Sequence, residues 1–234
     1  EMRESDWSSD VCSSDLIDIK ELNMSITYIG LKSPLVPFSI PTSSANDLIV
    51  PIIDNGELRT MALITDKTSI RISGIESESI VDGPGIRYTI FTQGCRHNCP
   101  GCHNPHTHDF DGGYLKSMFE IKKEILSNPL LAGVTISGGD PIEQCEGILL
   151  LTTYLKNMAP QVKSIIMYTG YTYEELVNIE DDHKRGVVRL LLKNLEVLVD
   201  GRYDEKLKSM DTKFRGSSNQ RYIILENGIP TNLD

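Results

Sequence analysis

The sequence has no run of apolar residues long enough to span a membrane, and no basic segment followed by an apolar stretch near its start. We therefore expect neither a membrane-spanning helix nor a secretory signal peptide. A basic stripe is also missing, and the formal net charge of −10 argues against direct nucleic-acid binding. These absences lead us to expect a cytoplasmic protein that binds neither membranes nor nucleic acids.

Cysteines are few and unevenly placed. Five are present, an odd number, and three of them lie close together at positions 95, 99 and 102. This distribution is not that of a disulfide framework, and it fits a reducing compartment. Cys12 lies in an aperiodic acidic stretch, and Cys145 lies on the apolar face of a predicted helix. We interpret neither of these two cysteines as a ligand.

Composition divides the chain into three predicted segments. Residues 1–23 hold seven acidic and two basic residues, and part of this stretch resembles translated sequencing-adapter sequence. We expect it to be a disordered or non-native leader. Residues 24–68 predict a β-rich extension, with a hairpin signal at 54–56. The strands predicted in it lie near 26–31, 48–53 and 58–65. Residues 69–234 are predicted to form the main domain.

From residue 70 onward, β-strand and α-helix patterns alternate. Strands are predicted at 87–92, 134–136, 162–168, 195–199 and 222–225. Helices are predicted at 114–127, 141–158, 173–179 and 187–192. This alternation predicts an α/β fold with a parallel sheet, in which the carboxyl ends of the strands share one rim and form the usual ligand site.

The most informative stretch is residues 95–103, Cys-Arg-His-Asn-Cys-Pro-Gly-Cys-His. Its cysteines have C-x3-C-x2-C spacing, and Pro100 and Gly101 exclude a helix or a regular strand. Structural zinc sites and electron-transfer clusters ordinarily take four protein ligands. Three thiolates on a cubane cluster leave one iron without a protein ligand, and that iron is free to bind a substrate or cofactor.

Six short motifs, including the cysteine loop, occur in a fixed order. They span residues 82–87, 94–105, 137–141, 168–171, 199–202 and 215–220. Together they resemble the radical S-adenosylmethionine (radical-SAM) family, and within it the activating proteins of anaerobic ribonucleoside-triphosphate reductases. The resemblance covers roughly residues 70 to 225. For the last motif, the resemblance implies a place at the edge of the active site or in a contact with the protein partner.

The resemblance implies a fold, a cofactor set and a reaction. The fold is an incomplete (β/α) barrel, open on one side. Cys95, Cys99 and Cys102 bind a 4Fe–4S cluster, whose open iron takes the amino and carboxylate groups of S-adenosylmethionine. Reductive cleavage of that cofactor gives a 5′-deoxyadenosyl radical, which takes hydrogen from a glycine of the anaerobic ribonucleoside-triphosphate reductase. The protein partners are that reductase and a low-potential electron donor such as flavodoxin or ferredoxin.

Further residues are expected to bind the cofactor. Gly138 and Gly139 have no side chains, so a ligand can approach the backbone closely there, and Asp140 is placed to hydrogen-bond the ammonium of S-adenosylmethionine. The alternative is an ordinary strand-to-helix turn capped by Asp140. The last cluster ligand, Cys102, and its two neighbours, Gly101 and His103, are also expected to border the cofactor. Since Gly101 stands where many relatives carry an aromatic residue, shielding of the cluster must come from elsewhere.

Two alternatives remain open. The nearer one is the activator of a different glycyl-radical enzyme, or another radical-SAM enzyme. The more distant one is a structural zinc module, because four of the five histidines lie at positions 97, 103, 106 and 108. We prefer to interpret His97, His106 and His108 as solvated loop residues.

Overall fold

The computed structural model describes residues 48–54, 57–64, 67–159, 161–209 and 211–232. The strands are β1 (Leu48–Asp54), β2 (Glu57–Ile64), β3 (Ser69–Ser79), β4 (Arg87–Thr92), β5 (Tyr114–Ser117), β6 (Gly133–Gly138), β7 (Ile165–Tyr168), β8 (Val197–Asp200), β9 (Arg221–Glu226) and β10 (Ile229–Pro230). The α-helices are α1 (Met118–Ser127), α2 (Cys145–Met158), α3 (Tyr173–Val177) and α4 (Asp182–Lys193). Short 3-10 helices lie at Pro105–Thr107, Pro141–Gln144 and Glu205–Leu207.

Strands β3 to β10 form one open sheet in the order β10-β9-β8-β7-β6-β4-β3-β5. The four central strands, β8, β7, β6 and β4, are parallel. The strands on either side of them pair antiparallel. The predicted α/β class and the parallel sheet are thereby confirmed for the centre. The antiparallel edges were not predicted; they arise because no α-helix separates β3 from β4 or β8 from β9. That the open sheet is an incomplete barrel stays a prediction.

Strands β1 and β2 form a separate two-stranded sheet. Two of the three strands predicted in the extension are therefore confirmed. The third, near 26–31, and the leader at 1–23 lie outside the described residues, as do residues 55–56 of the hairpin signal. The segment boundaries predicted from composition remain predictions. The larger of two compact units contains the described residues from 63 onward, including every residue of the site below.

The predicted helix at 114–127 is wrong in its first four residues, which form β5. Leu115 lies opposite Arg71 in the sheet, so strand pairing overrides the helical spacing of the apolar residues. Helix α1 then begins at Met118, where the Ser117 hydroxyl accepts a hydrogen bond from the backbone N–H of Phe119 at 3.2 Å. Such N-capping marks a helix start more sharply than apolar periodicity does.

The strand register brings the ends of the parallel strands level with one another. Thr92 of β4 lies opposite Gly138 of β6, and Tyr168 of β7 lies opposite Val199 of β8. The loops that follow these strands therefore begin at the same edge, as predicted. We call this edge the carboxyl rim; it comprises residues 93–103, 138–140, 169–171 and 200–203.

Helix α2 packs against α4 and β3. The face predicted to be apolar is buried at every predicted position, namely Ile142, Cys145, Leu149, Thr152 and Leu155. Cys145 is thus a core thiol, as expected. None of the helices that the structure describes combines the length and apolar character needed to cross a bilayer.

Candidate functional site

The cysteine loop reverses direction twice within a few residues. Asn98 and Gly101 have positive φ angles of 47° and 71°, a conformation that asparagine and glycine tolerate better than other residues. The backbone N–H of Cys102 donates to the Cys99 carbonyl at 3.1 Å, closing the second turn. The thiols of Cys95, Cys99 and Cys102 are free and partly exposed.

The backbone surrounds the thiols with N–H groups, and that of Asn104 donates to the Cys102 sulfur at 3.4 Å. Burial raises the pKa of Cys95, and hydrogen bonds from the backbone of residues 97 and 98 partly offset that effect. Burial likewise raises the pKa of Cys99, and a hydrogen bond from the backbone of Tyr203 lowers it again. Donors placed this way favour the thiolate form that a metal or cluster requires.

The start of the cysteine loop is held by residues 106–110, which follow the loop in the chain. Gly94 N–H donates to the Thr107 carbonyl at 2.8 Å. A side chain at Gly94 would meet the Phe110 ring at 2.8 Å, so the ring lies directly against this glycine. The buried Gln93 side chain donates to the His106 carbonyl at 3.0 Å. These contacts fix the exit of β4 and hence the position of Cys95.

Asp140 joins the loop to the two neighbouring strand ends. Its side chain is fully buried and accepts from Ile142 N–H at 3.0 Å, which caps the 3-10 helix. It also accepts from the Thr169 hydroxyl at 3.0 Å and from Gly170 N–H at 2.9 Å. His97 Nε2 lies 2.8 Å from the carboxylate. Capping of the 3-10 helix is therefore only one of the four contacts that Asp140 makes. The other three join the turn after β6 to the residues after β7 and to the cysteine loop.

The interpretation of His97 as a solvated loop residue is wrong. Its side chain is 6% exposed, and its ring meets the edge of Tyr171 with centroids 4.5 Å apart. No spacing rule in the sequence pairs His97 with Asp140, because the two residues are 43 positions apart and a 3-10 helix, β5, α1 and β6 lie between them. His106, by contrast, is exposed as expected.

A second polar chain runs beside this one, and the sequence analysis missed it. Glu143 accepts from Arg96 Nε at 2.9 Å and from the Tyr171 hydroxyl at 3.1 Å. Burial, together with the adjacent Glu143 carboxylate, raises the pKa of Tyr171 to about 12. Tyr171 therefore remains a neutral hydrogen-bond donor across the physiological pH range.

Gly138 and Gly139 lie where the backbone of the protein itself comes close. A Cβ on Gly138 would meet Thr92 N at 2.4 Å, and a Cβ on Gly139 would meet the Gly94 carbonyl oxygen at 2.4 Å. Gly138 also has a φ of 99°. Packing against β4 and the cysteine loop thus explains both glycines, and their predicted contact with a cofactor stays a prediction.

Gly101 and His103 lie beside residues that follow β8. A Cβ on Gly101 would meet the Glu205 carboxyl carbon at 2.6 Å. The His103 ring lies 4.7 Å from the Tyr203 ring, centroid to centroid. The last cluster ligand predicted from the sequence, Cys102, lies between these two positions. Neither Tyr203 nor Glu205 was singled out in the sequence analysis.

The remaining motifs are structural in the geometry observed. Arg87 is buried at the opposite end of β4 from the cysteine loop, where it donates to the Val134 carbonyl at 2.6 Å and to Thr135 at 2.6 Å. Asp200 accepts from Arg221 Nε at 2.9 Å and from the backbone N–H of Tyr173 at 2.7 Å. The Asp200 carboxylate therefore holds β8 to β9 and to the start of α3.

The donor set of the cysteine loop fits an iron–sulfur cluster. Among the described residues, no three Cys, His, Asp or Glu side chains are gathered as they would be around a single metal ion. A cubane cluster does not require that geometry, because each cysteine binds a different iron atom. The three thiols are soft ligands, and N–H groups directed at cluster sulfurs are a recognised means of setting the reduction potential.

Comparison with known proteins places the chain among iron–sulfur proteins. Residues 81–223 match the family described as the 4Fe-4S single cluster domain. This match includes all three cysteines of the loop and every strand of the carboxyl rim. The chain belongs to this family.

Curated relatives give the particular family. The chain is 35% identical over 153 residues to the anaerobic ribonucleoside-triphosphate reductase-activating protein of Enterobacteria phage T4, covering 64% of this chain and 90% of the relative. It is 37% identical over 147 residues to the protein of that name from Escherichia coli, and the aligned part covers 60% of this chain and 90% of the relative. It is 34% identical over 148 residues to the protein of that name from Vibrio cholerae, and the aligned part covers 60% of this chain and 89% of the relative. The chain belongs to the family of anaerobic ribonucleoside-triphosphate reductase-activating proteins, which confirms the resemblance identified from the six motifs.

Proposed function

We propose that this chain is a radical-SAM activating enzyme that generates a glycyl radical on an anaerobic ribonucleoside-triphosphate reductase. Three partly exposed thiols at the rim of four parallel strands are the observation that carries the proposal. Support comes from relatives of that name, which align over about nine-tenths of their length. The open sheet is then an incomplete barrel, and the glycine of the reductase enters at its open side.

Cys95, Cys99 and Cys102 would hold the 4Fe–4S cluster, leaving one iron open for S-adenosylmethionine. When bound, the cluster and S-adenosylmethionine supply the one-electron chemistry that ends as a radical on the partner. The residues of the chain hold the thiolates, direct N–H groups at them and limit the access of water. A low-potential donor such as flavodoxin or ferredoxin would supply the electron, and the reducing cytoplasm is the expected location.

Cofactor binding involves the turn after β6. We propose that backbone carbonyls at Gly138 and Gly139 receive the ammonium of S-adenosylmethionine, while Gly101 and His103 border the cofactor from the cysteine loop. Asp140 already accepts hydrogen bonds from four groups. Its best-supported role is therefore to position the turn, and direct contact with the ammonium is a further prediction.

The test begins with the full chain, reconstituted and purified without oxygen. We expect about four irons per chain and cleavage of S-adenosylmethionine under dithionite. Cys99→Ala should lose both properties, whereas the matched variant Cys145→Ala should keep them, because the Cys145 thiol is buried in the core. A colourless protein with one bound zinc would instead identify a structural zinc module.

The partner is tested separately. Reduced enzyme, S-adenosylmethionine and the anaerobic ribonucleoside-triphosphate reductase are mixed, and electron paramagnetic resonance is recorded. We expect a glycyl radical on the reductase that depends on Cys99. Cofactor cleavage without a radical on the reductase would overturn the partner assignment while leaving the cluster chemistry intact.

A further inference from the structure

The loop that follows β8 lies against the second half of the cysteine loop. We call residues 201–208 the cover loop. The Tyr203 ring lies 4.7 Å from the His103 ring, centroid to centroid. The Glu205 carboxylate occupies the space beside Gly101. Two separate contacts therefore bring the cover loop onto residues 101 and 103, on either side of Cys102.

The motif at 215–220 holds the cover loop in place. The Gln220 amide donates to the Gly201 carbonyl at 2.9 Å, and the Asn219 amide donates to the Arg202 carbonyl at 2.8 Å. Asp204 N–H donates to the Ser217 hydroxyl at 3.2 Å. These bonds give the motif a structural role that the sequence did not reveal.

Tyr203 itself is fixed on both sides. A Cβ on Gly216 would meet the Tyr203 ring at 3.1 Å, so the glycine allows the backbone to pack directly on the ring. The Gly216 N–H in turn donates to the Gln220 side-chain oxygen at 2.8 Å. The ring is thus held between the 215–220 motif and His103, next to the last two thiols of the cysteine loop.

We propose that Tyr203 is the shield of the iron–sulfur cluster, with its ring excluding water beside Cys99 and Cys102. Gly101 has no side chain that could do this. The inference rests on the proposed function, because it takes the three thiols to be the cluster ligands. Water beside a cluster stabilises the more negatively charged reduced state, and hydrogen bonds to sulfur act in the same direction. Tyr203 is therefore a positioning residue that sets the cluster environment.

The first experiment measures the cluster in the full, anaerobically reconstituted chain. Tyr203→Ala should admit water, which shifts the midpoint potential to a more positive value and makes the cluster bleach several-fold faster in air. Tyr203→Phe keeps the aromatic ring that Tyr203→Ala removes, so it should restore both values to those of wild type. Tyr114→Ala, which removes a half-exposed tyrosine on β5, is the matched control. Wild-type potential and bleaching rate in Tyr203→Ala with full iron content would overturn the proposal.

A second variant and a second readout keep the test decisive if Tyr203→Ala reconstitutes poorly. Gln220→Ala loosens the cover loop without altering a contact residue of the thiols, and it should change both cluster properties in the same direction. In the cluster-free chain, Tyr203→Ala should raise the rate at which iodoacetamide alkylates Cys99 and Cys102 but leave that of the buried Cys145 unchanged. If the alkylation rates of Cys99 and Cys102 are unchanged in Tyr203→Ala, and Gln220→Ala has the cluster properties of wild type, the proposal that Tyr203 shields the cluster is refuted.

The two proposals can fail separately. If the wild-type chain binds no iron but Tyr203→Ala still exposes the loop thiols to alkylation, the cover exists and the proposed function is wrong. If the wild type binds about four irons and Tyr203→Ala alters neither the cluster nor the thiols, the proposed function stands and the shield does not.

Discussion

Asp140→Asn tests whether the carboxylate holds the carboxyl rim together before any cofactor is bound. The carboxylate is fully buried and receives hydrogen bonds from Ile142, Thr169, Gly170 and His97. Asparagine has the same shape, but one of its two terminal groups donates hydrogen bonds and cannot accept them. At the position bonded to Gly170, the variant therefore places a donor against a backbone N–H.

The expected loss of stability follows from these contacts. A buried N–H without an acceptor costs about 1–3 kcal/mol, and the other hydrogen bonds lose the extra strength that a charged acceptor provides. The neutral amide is easier to bury than a carboxylate, which offsets part of this loss. We expect a net loss of about 2–3 kcal/mol, or a fall in melting temperature of about 4–12 °C for a chain of this size.

The assay is urea unfolding of the reduced, cluster-free chain, followed by circular dichroism. Asp181→Asn is the matched control, because Asp181 also caps a helix, through a hydrogen bond from Lys184 N–H, but lies in a solvent-exposed position. We expect the control to change the unfolding free energy by less than about 0.5 kcal/mol, since asparagine caps helices as well as aspartate. Equal, small effects of the two substitutions would show that Asp140 does not hold the rim together.

A double-mutant cycle isolates the contact between Asp140 and His97. His97→Gln keeps a polar side chain near the carboxylate but removes the ring packed against Tyr171. The two single substitutions should together destabilise the chain by about 1 kcal/mol more than the double variant does, which is the expected range for groups in direct contact. Strict additivity would mean that the 2.8 Å contact contributes nothing to the stability of the folded chain.

Three further predictions address other parts of the molecule. Arg221→Met should cost about 2–4 kcal/mol in urea unfolding, because it leaves the carboxylate of Asp200, whose side chain is 1% exposed, without its charged partner; a loss below about 0.5 kcal/mol would refute this reading of the pair. Cys145→Ala should leave the iron content unchanged, measured by metal analysis, and a drop in iron would show that this thiol serves the cluster. Gly138→Ala should destabilise the cluster-free chain by at least about 2 kcal/mol, because of its positive φ and the 2.4 Å approach to β4; a stable variant with normal circular dichroism would contradict the packing argument.

Local pattern and residue chemistry were sufficient for several features. The spacing of Cys95, Cys99 and Cys102 and the order of the six motifs identified the family, which the relatives confirm. The alternation of strands and helices predicted the parallel centre of the sheet, because both periodicities are properties of short stretches of chain. The carboxyl rim then followed from a general rule, since parallel strands end on the same side.

What the sequence by itself determined about this protein is therefore its family, its parallel strands and the edge at which its chemistry lies. Only the tertiary structure decided which distant side chains meet at that edge. It paired His97 with Asp140, placed Tyr203 against His103 and turned residues 114–117 from the expected helix into strand β5. The physical reason is that periodicity reports which side of an element is buried, whereas contacts between residues far apart in sequence depend on register and loop path, which no local pattern encodes.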